Sequence, residues 1–218
     1  MPSLFAAGFL ARLWLAGHTF LDPDEAWHYL LSVQPSAWQA YQASLRTTHP
    51  PLLILLLHFT GWIGATQWLL RLPSVLAGLG FCWIAFRWVE VATDRVTALL
   101  SLVLFLFLPP LIQLSAEVRQ YTLLLFFVAG SLYWFDRGLA RNSARGILFS
   151  AIALDLALLS HYAALIFALS HGLYGLARLA GGGVPGAYGA RGRPGKLWHW
   201  AWPAFCGRPT WSRLSTGR

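Results

Sequence analysis

Leu21-Asp22-Pro23-Asp24-Glu25-Ala26-Trp27-His28-Tyr29 opens a polar interruption that closes on Arg46-Thr47-Thr48-His49-Pro50-Pro51, and the chain on both sides of it is apolar. Upstream, residues 4–20 form an apolar run of about seventeen residues, near the lower limit for a spanning helix and longer than the apolar core of a cleaved signal peptide. Downstream, residues 51–64 are apolar for about fourteen residues, roughly 21 Å as a helix against a hydrocarbon core of about 30 Å. That segment is predicted to lie in the interface and not to cross. Further spans are predicted over 69–89, with Pro73 in the first turn, and over 96–114, which Pro109-Pro110 kinks or ends. Residues 121–135, 147–160 and 163–179 complete an all-α bundle of six spans, with interfacial helices in an outer loop over 21–68.

Composition supports that class. A chain of 218 residues that is 57% hydrophobic and 11% charged, with twelve tryptophans, is a multispanning membrane protein and not a soluble domain. The net charge of +8 does not indicate nucleic acid, because six of the sixteen Lys and Arg residues lie beyond Gly181, where there is no acid. Two cysteines, Cys82 and Cys206, form neither a disulfide framework nor a metal spacing. Arg12 falls inside the first span, where an unpaired charge costs about 3 kcal/mol. It is expected to snorkel, or to show that the true start lies upstream, with pairing inside the bundle as the alternative.

The domain reading is a membrane module over 1–180 and an atypical tail over 181–218. The tail has nine glycines, four prolines and four tryptophans, six bases, no acid and no apolar period. It is expected to be the product of a frameshift or a misassembled gene, and the chain as written to be unstable and inactive alone.

If residues 51–64 do not cross, Arg87, Arg95, Arg137, Arg141, Arg145 and Arg178 share one side, leaving Arg46, Arg71 and Arg119 on the other. The positive-inside rule makes the first group cytoplasmic. Asp24, Glu25, His28, His49, Glu117, Arg119 and His161 then gather on the outer face.

Several of these carry chemistry. Asp24 and Glu25 together can hold a base, a metal or a hydroxyl, or Asp24 can cap a helix with Glu25 in its first turn. A divalent metal held by Glu25, His28 and His49 is left open. Arg119 suits a phosphate. Its alternative role is an ion pair with Glu117, which a helical segment would forbid because positions two apart face some 200° from each other. His161 and Tyr162 form a hinge, and Asp155 is expected in a buried polar network.

Asp24-Glu25 after the first span, Thr48-His49-Pro50-Pro51-Leu52, Leu70-Arg71-Leu72-Pro73-Ser74, Ser115-Ala116-Glu117-Val118-Arg119-Gln120-Tyr121 and Leu159-Ser160-His161-Tyr162 occur in an order that resembles the GT-C membrane glycosyltransferases. The likeness is to the protein mannosyltransferase and aminoarabinose transferase type, glycosyltransferase family 39, over about residues 4–180, the N-terminal part of such enzymes. It implies transfer of a sugar from a polyprenyl-phosphate carrier, with inversion, to a protein, glycan or lipid acceptor. The setting it implies is the outer face of a bacterial inner membrane. It further implies that Asp24 is the base and Arg119 holds the donor phosphate, while Glu25, His49, Glu117, Tyr121 and His161 position the substrates. The rival readings are a transport or binding subunit whose outer acids hold a cation, and an inactive truncated transferase.

Overall fold

The structure, a computed structural model, describes residues 1–47 and 49–180, so the expectation for the 181–218 tail lies outside the described residues. The described chain is helical throughout: α1 (Pro2–His18), α2 (Pro23–Ser32), α3 (Ala37–Arg46), α4 (Pro51–Gly61), α5 (Gln67–Ala92), α6 (Arg95–Phe107), α7 (Pro109–Ser115), α8 (Tyr121–Ala140), α9 (Ala144–Ser160) and α10 (Ala164–Ala180). Helices α5 and α8 are each long and apolar enough to cross a bilayer. So are α1 with α2, bent by 93°, and α6 with α7, bent by 58°, when each pair is taken together. The remaining predicted spans fall on α9 and α10, each of 17 residues. At about 25 Å these are shorter than the hydrocarbon core.

Helix α5 is the centre of the bundle, in contact with α1, α4, α6, α7 and α8. Leu53, Leu57, Leu70, Ala77, Val118 and Leu123 form a core at one end. Cys82, Phe86, Ala98, Leu102 and Leu106 form a second core farther along. The outward faces of α6 (Val96, Leu100, Leu104) and α10 (Leu165, Ile166, Leu169, Leu173) are apolar and exposed, as lipid contact requires. Pro73 is not in the first turn, as its sequence position suggests, because α5 starts at Gln67. It sits inside the helix and withholds a hydrogen bond from the Leu69 carbonyl.

The hairpin of α8 and α9 depends on two glycines. A Cβ on Gly146 would come within 2.7 Å of Gly138 Cα, so the backbones touch there. Asn142 takes the left-handed conformation (φ 47°), and the N–H groups of Ser143 and Asn142 donate back to the Gly138 and Leu139 carbonyls. This closes the helix end in a Schellman turn. Ser143 Oγ then accepts from Gly146 N–H and starts α9.

Arg12 overturns the expectation that it snorkels and takes the alternative of pairing inside the bundle. It is fully buried, and Nη1 donates to the carbonyls of Gly8 (3.0 Å) and Leu106 (2.9 Å). Nη2 reaches the Phe105 carbonyl at 3.4 Å. The reason lies 97 residues away in sequence. In an unbroken helix, Phe105 and Leu106 would accept from the N–H groups of residues 109 and 110, and both are prolines. The proline pair that bends α6 into α7 orphans two carbonyls, and the guanidinium satisfies both. Asp155 is a second correction: it is exposed on α9. The buried acid of that region is Asp136, which accepts from Tyr174 OH at 3.2 Å.

The expected consequence is a coupling with a definite sign. Arg12→Met should cost about 1–3 kcal/mol by leaving the Leu106 carbonyl unpaired and the Phe105 carbonyl with only the weak Cys82 S–H donor. Pro109→Ala with Pro110→Ala should also destabilise, because the arginine loses its acceptors. Combining all three should recover much of the loss, since the helix then satisfies its own carbonyls. Additive losses in detergent melting curves would show that Arg12 has another role.

Candidate active site

The polar site sits at the end of the bundle where α1 runs into α2, α4 enters α5 and α7 gives way to α8. Asp22 is the N-cap of α2: its Oδ1 accepts from Asp24 N–H at 2.8 Å, while Glu25 Oε2 accepts from Asp22 N–H at 3.0 Å. With Pro23 at the first helical position this is a capping box, so Asp22 is the cap and not Asp24. That leaves the Asp24 carboxylate free of capping duty and 70% exposed.

Glu25 is fully buried and bonded on every side. Its oxygens accept from Arg71 Nε (3.0 Å) and Nη2 (2.7 Å) and from Val118 N–H (2.6 Å). Arg71 lies in the second turn of α5. It also donates to the carbonyls of Ala16 (2.6 Å), Thr19 (2.9 Å) and Phe20 (3.0 Å). One buried ion pair therefore joins the end of α1, the start of α2, the first turns of α5 and the 116–120 segment. Burial pushes the Glu25 carboxyl up, but Arg71 and the two backbone N–H groups outweigh it and hold it below the ordinary carboxylate range.

The 116–120 segment is not helical. Val118 points into the core while its N–H binds Glu25, and Ser74 Oγ donates to the Arg119 carbonyl at 3.2 Å. With Val118 turned inward, Glu117 and Arg119 face the same side. Their pair, excluded on a helix, does form: Arg119 Nε lies 3.4 Å from Glu117 Oε2, an ionic contact without hydrogen-bond geometry. Arg119 Nη2 also donates to Asp22 Oδ2 at 2.7 Å and lies 3.2 Å from Asp24 Oδ2. Burial alone would lower the Arg119 pKa, but Asp22, Glu117 and Asp24 together raise it.

Beside this cluster is a polar cleft of about 220 Å³ bounded by Asp24, Trp27, His28, His49, Arg119 and Tyr121. The His28 and His49 rings meet edge to face with centroids 5.3 Å apart. Burial, and then His49, hold His28 below its ordinary pKa against the opposing pull of Asp24, so the imidazole is neutral at pH 7. The His28 ring interacts with the Asp24 backbone without a hydrogen bond of good geometry, and Gln120 Oε1, which lines the cleft, has no hydrogen-bond partner among the described residues. His49 Nδ1 is 2.9 Å from the Thr47 carbonyl. His161 stands one layer back with its ring 5.6 Å from that of Tyr121. Glu25, His28 and His49 are not brought together as a ligand set, because both Glu25 oxygens are committed to Arg71, Asp22 and Val118. No group of three metal-ligating side chains is assembled among the described residues.

On the other side of Asp22 lies a larger cavity of about 450 Å³ between α1 and α7. Leu15, Phe20 and Ile112 give it an apolar wall, and Asp22 and Glu117 stand at its edge. Residues 48–180, more than half of the chain, match the dolichyl-phosphate-mannose-protein mannosyltransferase family, and the protein belongs to that family of GT-C membrane glycosyltransferases. No curated protein and no solved structure matches the chain. The match begins at residue 48, so Asp22, Asp24, Glu25 and His28 join the site through their contacts and not through the matched segment.

Replacing Glu25 with Gln should cost about 3–5 kcal/mol, because it leaves the Arg71 guanidinium buried without a counter-charge. The pair Glu25→Leu with Arg71→Met should cost less than the sum. The depressed Glu25 carboxyl contributes fully at neutral pH, and its contribution fades as pH falls below about 4.5 toward the lower folded value. A melting-temperature profile of Glu25→Gln parallel to wild type in that acid limb would refute this.

Proposed function

We propose that the protein moves a sugar from a polyprenyl-phosphate carrier to a hydroxyl of a protein, glycan or lipid acceptor, at the outer face of the membrane and with inversion. The observation that carries this reading is the meeting of Asp24, Arg119 and a neutral, buried His28 around one polar cleft that adjoins a mostly apolar cavity. At about 220 Å³ the polar cleft is half the size of its apolar neighbour, a space suited to one sugar ring and not to a lipid chain. Half-exposed Trp27 offers that ring an apolar face, while His28 and Gln120 offer hydrogen bonds.

In the inverting step the acceptor oxygen attacks the anomeric carbon as the bond from that carbon to the phosphate oxygen breaks. Asp24 takes the hydroxyl proton, and the electron pair leaves with the phosphate, whose charge Arg119 offsets. Glu25 acts differently from Asp24 despite being its neighbour: it is spent on Arg71 and holds the centre together. His49 and Tyr121 border the cleft as positioning groups, and His161 acts through Tyr121. Arg87, Arg95, Arg137, Arg141 and Arg145 lie at the opposite end of the bundle from this centre, and the positive-inside rule makes that end cytoplasmic.

In the full-length protein, Asp24→Asn should lower transfer by about 10²-fold or more while donor binding stays near wild type, since shape is kept and the base is lost. Arg119→Ala should weaken donor binding and slow transfer together. Retained turnover in Asp24→Asn would remove the base assignment. For orientation, a reporter near Ser44 should read external and one after Arg141 cytoplasmic, and the two reading alike would refute the scheme.

A further inference from the structure

Arg119 is already crowded by anions. Asp22 hydrogen-bonds it at 2.7 Å, Asp24 lies at 3.2 Å and Glu117 at 3.4 Å, so three carboxylates surround one guanidinium. A phosphate arriving at this arrangement would add to an excess of negative charge, and it would compete with Asp22 for the Arg119 Nη2 that Asp22 holds at 2.7 Å. The Asp22 contact is the shortest of the three and also an exchangeable one. Its side chains are 46% and 24% exposed, a setting in which an ion pair contributes little net stability.

Asp22 is built to let go without unfolding its helix. Oδ1 alone caps α2, by accepting from Asp24 N–H, and Oδ2 alone meets Arg119. The pair also stands between the two cavities: Asp22 lines the larger, Arg119 the polar cleft, and neither lines both. Gln120 Oε1, a cleft-lining acceptor with no hydrogen-bond partner among the described residues, is a second group placed to meet a polar ligand.

We propose that Asp22 is a stand-in anion for the donor phosphate, holding Arg119 between turnovers and yielding it when an isoprenyl phosphate enters. The exchange tells a phosphate-bearing lipid from a neutral one, because only an anion can take the place Asp22 leaves. It also opens the wall between the apolar cavity and the polar cleft, so the two substrates meet only once the donor is seated. This inference rests on the reading of Arg119 as the phosphate-binding residue.

The test is binding of a short-chain isoprenyl monophosphate to the detergent-solubilised full-length protein, in wild type, Asp22→Asn, Arg119→Ala and the double variant. Asparagine caps a helix as well as aspartate, so Asp22→Asn keeps α2 and removes only the competing charge. Asp22→Ser, a second uncharged cap, guards against a variant that fails to fold. Asp22→Asn should bind about tenfold tighter at low salt, a gain that general damage would not produce. The gain should vanish in the double variant, which should match Arg119→Ala. Unchanged or weaker binding in both Asp22 variants, with Arg119→Ala still weakened, would overturn the exchange and leave Arg119 as the phosphate residue. A gain that persists without Arg119 would also overturn it, by showing a diffuse charge effect. Unaltered binding in Arg119→Ala would instead remove the reading on which the inference stands.

Discussion

The buried pair of Glu25 and Arg71 is the contact on which the rest of the site depends. Its two partners are 46 residues apart, yet between them they bind the end of α1, the cap of α2, the entry of α5 and the backbone of Val118. Such a pair is costly to desolvate and is only weak evidence for stability in itself. Here its value is geometric. Every lone pair and N–H in it is used, so the four segments have one way to meet, and Asp22, Asp24, Glu117 and Arg119 are set around one point as a result.

The two buried arginines answer the same problem in the same way. Helix ends and proline breaks leave carbonyls without donors, and inside a membrane bundle no water can supply them. Arg71 serves the last carbonyls of α1, where a cation also complements the helix dipole. Arg12 serves the carbonyls that Pro109 and Pro110 abandon. The bend of α6 into α7 therefore needs a donor on a different helix, and that donor enters through a gap kept open by glycine. A Cβ on Gly8 would sit 3.4 Å from Arg12 Nη1 and only 2.8 Å from a Leu106 methyl carbon.

The helices were legible in the sequence because apolar runs and Pro and Gly breaks are local signals, and the helix bounds fall within a few residues of the predicted segments. The neighbourhood of Asp24, Glu117 and Arg119 was also within reach. The jobs of individual charges were not. Arg12, Arg71 and Glu25 act on partners 46 to 94 residues away, and no local pattern says which carbonyl a guanidinium will find. Asp22 is different, because its role as cap was written locally. An Asp followed three residues later by Glu, with Pro between, is a capping-box signal, and it was overlooked in favour of the Asp24-Glu25 pair. The Glu117–Arg119 contact was misjudged for a related reason. The 200° argument holds only on a helix, and the Val118 N–H is taken by Glu25 in a segment of turns and bends.

The division of labour among four neighbouring acids follows from where each one's lone pairs go. Glu25 has none to spare, and its burial beside Arg71 makes it a fixed structural anion. Asp22 commits one oxygen to the helix and lends the other to Arg119. Glu117 shares itself between Arg119 and Gln113. Asp24 alone keeps a carboxylate that is exposed, borders the polar cleft and carries no structural bond beyond one 3.2 Å ionic contact. The proposed transfer needs a proton acceptor that is reachable and does not hold the fold together, and among these four Asp24 fits that proposal best. The capping box enforces that choice: by placing Asp22 at the cap and Glu25 at the third helical position, it leaves the Asp24 side chain exposed at the polar cleft.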